Sequence, residues 1–100
     1  MGGGVTCWFV SRHSGAREWA SRQGIPVDCW VEHLAPEQVK AGDVVYGTLP
    51  IPLVALINGR GARYIHLVLD LSASIRGKEL SPEEMEAGGA KFQEYKVIKV

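Results

Sequence analysis

Apolar residues in this chain come in short dense bursts, and the period within the bursts changes from two to about three and a half along the sequence. Over residues 5–10, Thr6, Trp8 and Val10 face one way while Cys7 and Phe9 face the other, and both sets are mostly apolar. A strand apolar on both faces belongs in the middle of a covered sheet. Residues 15–23 then switch to helical spacing. Ala16, Trp19, Ala20 and Gln23 share a face, Arg17, Glu18 and Arg22 turn to solvent, and Gly24 stops the run. Residues 25–31 predict a second strand, with Pro26 at its start, where a missing N–H is tolerated. A short helical turn follows over 36–40, and 44–46 predict a third strand that ends at Gly47, Thr48, Leu49 and Pro50.

The second half repeats the alternation. Leu53, Val54, Leu56 and Ile57 predict a buried helix over 52–58, with Pro52 in its first turn and Gly59-Arg60-Gly61 ending it. Residues 62–69 are the most β-like run and predict a fourth strand. A loop over 70–80 holds Arg76-Gly77-Lys78. Ser81-Pro82-Glu83-Glu84 then predicts a helix start, which Gly88-Gly89 weakens further on. Residues 95–100 alternate Tyr95, Val97 and Lys99 against Lys96, Ile98 and Val100, predicting an edge strand blunted by lysines. The order β-α-β-turn-β-α-β-α-β predicts an α/β fold with a mostly parallel sheet, helices on both faces and a C-terminal edge strand.

Parallel strands gather their following loops on one sheet edge, where ligands bind in open α/β folds. Three loops qualify: Ser11 to Gly15, Thr48 to Pro50, and residues 70–78. The first presents a hydroxyl, a guanidinium and an imidazole in succession at Ser11, Arg12 and His13, then Ser14 and Gly15 at the start of a helix with free N–H groups. That set suits a phosphate. Arg12 suits the non-bridging oxygens, and His13 titrates near neutrality and can move a proton. A solvated βα turn, or anion binding without chemistry, is the plainer alternative.

Length and charge add bounds. One hundred residues make one domain, spanning 5–100, with Met1-Gly2-Gly3-Gly4 as a flexible leader. Lys and Arg total 11 against 11 Asp and Glu, so net charge argues neither for nor against nucleic acid, although a neutral total can hide a basic pocket. Cys7 and Cys29 fall in predicted strands and read as reduced core thiols of a cytoplasmic protein. No apolar run is long enough for a bilayer, and no signal-peptide pattern is present.

Other chemistries find little support. No cluster with metal-ligand spacing appears, so a metal-dependent nuclease is disfavoured. Gly59 and Gly61 end a helix where a dinucleotide fingerprint would open one, which leaves no cofactor expected. His66, mid-strand with Tyr64 and Val68 on its face, reads as a satisfied core histidine; His33 follows a strand end, which could bring it near the pocket, but reads instead as a solvated loop histidine. Trp8, Trp19 and Trp30 read as core, with Trp30 the one candidate for stacking a base.

The segment Phe9 through Ala16 followed by Glu18-Trp19-Ala20 resembles the opening of a small CRISPR-associated family. Val31-Glu32-His33-Leu34, Gly47-Thr48-Leu49-Pro50, Gly61-Ala62-Arg63-Tyr64 with His66-Leu67, and Arg76 through Ser81 resemble its later blocks in the same order. The family is the sixteenth-numbered of the "Csx" accessory proteins of type III CRISPR systems, and the resemblance spans residues 5–100. It implies a Rossmann-like fold akin to a reduced CARF domain. It also implies a homodimer that binds cyclic oligoadenylate, chiefly cyclic tetraadenylate, and linearises it as a ring nuclease, with neither a membrane nor long nucleic acid as partner. In that setting Ser11, Arg12 and His13 become the expected catalytic residues, and Ser14, Gly15, Thr48, Leu49, Pro50 and Arg76 the expected substrate contacts. Two other readings stay open: a protein that only sequesters the same messenger, and a structural partner with no affinity for it.

Overall fold

The computed structural model describes residues 5–12, 14–68 and 91–100. Strands β1 (Cys7–Val10), β2 (Cys29–Val31), β3 (Val44–Gly47), β4 (Arg63–Val68) and β5 (Lys91–Tyr95) are interleaved with helices α1 (Ser14–Arg22) and α2 (Ile51–Gly59) and a 3-10 turn, Pro36–Gln38. The five strands form one sheet in the order β2-β1-β3-β4-β5. The first four are parallel and β5 runs antiparallel along β4 at the edge. This is the expected α/β architecture, a Rossmann-like, mostly parallel sheet. The expected leader, His13, the loop over 70–78 with Arg76, and the helix from Ser81 lie outside the described residues.

The alternation in β1 sorts the two cores. Phe9 packs with Ala16, Trp19 and Ala20 of α1 and with Leu67 on one face. Val10 packs on the other face with Val45, Tyr64, and Val54 and Ile57 of α2. The α1 side is aromatic: Phe9 and Trp30 have ring centroids 4.8 Å apart, and Trp19 and Phe92 5.1 Å. The helices thus cover opposite faces, because the chain leaves β1 for one side of the sheet and β3 for the other. Where the connections of two neighbouring parallel strands leave to opposite faces, a crevice opens beyond their carboxyl ends.

The amino ends of the same strands are fastened by Asp43. Its carboxylate accepts hydrogen bonds from the Thr6 N–H (3.0 Å), the Lys40 N–H (2.9 Å) and the Trp8 indole (3.1 Å). Burial pushes this carboxyl up, but the Lys40, Thr6 and Trp8 hydrogen bonds outweigh it and hold the group below the usual carboxylate range.

Two expected elements are corrected. The second strand begins at Cys29, not at residue 25. Pro26 has no N–H to give, the Val27 N–H turns back to the Ile25 carbonyl, and the Asp28 carboxylate takes the Cys7 N–H. The last strand is Lys91–Tyr95, while residues 96–100 leave the ladder. Phe92 fixes that register by entering the α1-side core, and Val97 instead packs on the α2 side, its N–H donating to Asn58 Oδ1 at 2.7 Å. Cys7 and Cys29 are free thiols, and burial followed by the nearby Asp28 carboxylate pushes the Cys7 thiol up.

Candidate functional site

A hollow of about 380 Å³ opens at the carboxyl ends of β1, β2 and β3. Ser11 and Arg12 enter it from β1, Glu32 and His33 from β2, and Thr48, Leu49 and Pro50 from β3, with Leu53 of α2 as apolar floor. Two of the three expected loops therefore meet, and a strand end not assigned to the site joins them. The third loop, with Arg76, and the imidazole of His13 lie outside the described residues.

Each wall has a local cause. The Ser11 N–H donates to the Val31 carbonyl at 3.0 Å, so the β1–β2 ladder runs one residue past β1 and fixes where Arg12 departs. Arg12 is exposed, and α1 begins two residues later at Ser14, with Gly15 buried in its first turn. That first turn carries no acidic residue, which leaves the helix's positive end to attract an anion. Thr48 is exposed, while Leu49 is 9% exposed and turns inward.

The β3 loop depends on two residues whose part in the site was not foreseen. Gly47 has φ +151°, and a Cβ placed there would stand 2.5 Å from the Val10 carbonyl oxygen. Only glycine lets β3 end this close to β1. Tyr64, buried on β4, reaches under the loop. Its hydroxyl accepts from the Leu49 N–H at 2.9 Å and meets the Gly47 carbonyl at 2.9 Å and His66 Nδ1 at 2.6 Å. The carbonyl can only accept, so the single phenolic hydrogen goes there and His66 Nδ1 must carry its own hydrogen and donate. Burial pushes the Tyr64 phenol up, against the Leu49 N–H, which lowers it. The sequence suggested a satisfied core histidine at position 66; His66 is only half-buried, and its recorded hydrogen bond is the one at Nδ1. The hint for Tyr64 as an anchor was slight: a tyrosine at an inward β4 position, where its ring is buried and its hydroxyl needs a partner.

Basic residues do not all converge. Arg60 donates to the Val39 carbonyl (2.8 Å) and the Glu37 carbonyl (3.2 Å), tying α2 to the 3-10 turn. Arg63 forms a two-pronged pair with Glu94 at 2.9 and 2.8 Å. Arg17 lies 5.0 Å over the Trp30 ring, whose other neighbour is Phe9, so a base stacking there would displace it. Among the described residues, Arg12 is the arginine in the hollow, and Glu32 stands in the same wall. Chemically the hollow offers a cation, hydroxyls, an imidazole and one carboxylate around an apolar floor.

Among the described residues, no three His, Cys, Asp or Glu side chains are grouped to hold a metal ion, and no helix is long and apolar enough to cross a membrane. A family model described as "Putative CRISPR-associated protein (Cas_VVA1548)" matches residues 8–98. No curated protein and no solved structure matches the chain.

Proposed function

The chain belongs to this CRISPR-associated family, and we propose that within it the protein is a ring nuclease that linearises cyclic tetraadenylate and so ends type III signalling. The observation that supports this reading is the hollow where the strand order reverses, at which Ser11, Arg12, His33 and Thr48 come together. A ribose 2′-hydroxyl already adjoins each phosphate of such a ring, so the substrate brings its own nucleophile. The 2′-oxygen bonds to phosphorus, the bond to the 5′-oxygen breaks, and the product is linear with a 2′,3′-cyclic phosphate and a free 5′-hydroxyl. Arg12 and the first N–H groups of α1, at Ser14 and Gly15, hold the non-bridging oxygens as charge builds. Ser11 positions the sugar, and His13 takes the 2′ proton or returns one to the leaving oxygen. Thr48, Leu49, Pro50 and Arg76 are the further substrate contacts.

A hollow of about 380 Å³ suits about one or two nucleotides rather than four, given that drug-sized ligands fill about 300–1,000 Å³. The working form in this proposal is a homodimer whose two-fold axis matches the ring, each protomer addressing one half. Incubating the protein with cyclic tetraadenylate and a chelator, followed by chromatography, tests the reading. Many rings opened per protomer is the expected result. An intact ring, bound in proportion to protein, would replace it with sequestration, and no binding would remove both.

A further inference from the structure

A second, smaller hollow of about 180 Å³ lies on the other side of Leu49, which is a wall of both. Leu49, Ile51 and Val97 make it apolar, and Tyr64, His66 and Tyr95 give it aromatic sides. We propose that it is a subsite for a planar heteroaromatic base bearing an exocyclic amino group. That base is adenine if the reading above is right, and the naming of adenine rests on that reading.

Three observations carry the assignment. The volume is below the roughly 300 Å³ at which drug-sized ligands are held, so the space suits one base and not a whole nucleotide. Among the described residues no Asp, Glu, Lys or Arg lines it, which leaves phosphate in the neighbouring hollow beside Arg12. The polar chemistry is set by the Tyr64 hydroxyl. Because that oxygen gives its hydrogen to Gly47 and accepts from Leu49, His66 spends its Nδ1 hydrogen on Tyr64 at 2.6 Å. With Nδ1 so engaged, the tautomer that fits this geometry carries its lone pair on Nε2, for which no partner is found among the described residues. A lone pair selects an N–H donor such as an amino group, and a carbonyl in the same place would set two acceptors against each other. Tyr95 completes the slot: its ring stands edge-on to His66 with centroids 5.9 Å apart and is half exposed, free to lie against the face of a bound base.

The test compares adenosine with purine riboside, the same nucleoside without the amino group, by NMR titration of the full chain. Wild type is expected to bind adenosine about tenfold more tightly, the discrimination of one hydrogen bond. His66→Leu should bind the two alike. Ile51→Trp, which fills the hollow from a rim residue that is 65% exposed and so spares the core, should lose both. Equal affinity of wild type for the two nucleosides, a preference that survives His66→Leu, or undiminished binding in Ile51→Trp each overturns the proposal. The cleavage assay separates the two claims. Rings opened by a protein that shows no amino-group preference leave the ring nuclease standing and remove the subsite. A preference in a protein that leaves cyclic tetraadenylate unbound keeps the subsite for free bases and removes the nuclease.

Discussion

Replacing Tyr64 by phenylalanine removes one oxygen and three hydrogen bonds. The ring keeps its place among Val10, Val45 and Ile57, so the loss falls on the partners. The Leu49 N–H and the Gly47 carbonyl belong to buried residues and both lose their partner, as does His66 Nδ1. An unpartnered buried group costs about 1–3 kcal/mol. Water entering from the small hollow can relieve part of that, which puts the expected loss at about 3 kcal/mol. A domain with about 5–15 kcal/mol of stability survives this. With a urea slope of about 1–3 kcal/mol per molar, the midpoint should fall by about 1–3 M with unchanged slope, followed by tryptophan fluorescence. The Leu49 amide should exchange faster than the α2 amides, and ring opening should fall because Thr48 loses its fixed position. The phenol also has a pH signature. Its pKa is raised by folding, so the stability it contributes is complete below the ordinary tyrosine value near 10 and disappears as pH climbs through the folded value. Tyr64→Phe should lose part of that alkaline limb. Tyr46, which burial raises first with the Cys7 thiolate adding to it, and the Cys7 thiol, raised by burial and then by Asp28, contribute to the same limb. A midpoint within about 0.3 M of wild type would refute the idea that this hydroxyl anchors the loop.

Gly47→Ala forces a Cβ to within 2.5 Å of the Val10 carbonyl oxygen; a loss of about 3 kcal/mol, read as a melting temperature lower by about 10 °C or more, is expected. Asp43 has a depressed pKa, so its contribution is complete above the ordinary aspartate value near 4 and fades as pH falls below it. Asp43→Asn should cost about 2 kcal/mol at pH 7 and flatten the acid limb of stability against pH, and an unchanged limb would take Asp43 out of the account. Arg12→Ala should weaken binding and turnover together, with the binding loss shrinking at high salt. His13→Ala should slow cleavage by about 10²-fold with affinity spared. Wild-type turnover in that variant would pass the proton to His33, testable as a loss in His33→Ala.

Much of this architecture was legible because β1 carries opposite apolar sets on its two faces. A strand of that kind has to be central, and the helical spacing after it has to cross over. From there the meeting of the Ser11–Arg12 and Thr48–Pro50 loops follows. Terminal registers were less legible. The alternation from Tyr95 to Val100 looked like a strand, yet pairing is decided by where Phe92 finds a core, a long-range fact that local period does not encode. Pro26 and Asp28 likewise show a β-like run losing its first half to side-chain and turn hydrogen bonds. In the site, Ser11, Arg12, Thr48, Leu49 and Pro50 could be named from position alone. Tyr64 could not, since its role rests on a hydroxyl reaching 15 residues back in sequence to Leu49.

The proposed ring opening turns on which oxygen attacks phosphorus. Cyclic tetraadenylate opened by the chelated protein in ¹⁸O-water, with the first product weighed by mass spectrometry, decides it. Attack by the ribose hydroxyl predicts a linear product with a 2′,3′-cyclic phosphate and no ¹⁸O. A first product already carrying ¹⁸O on its terminal phosphate, or a ring that never opens, contradicts it.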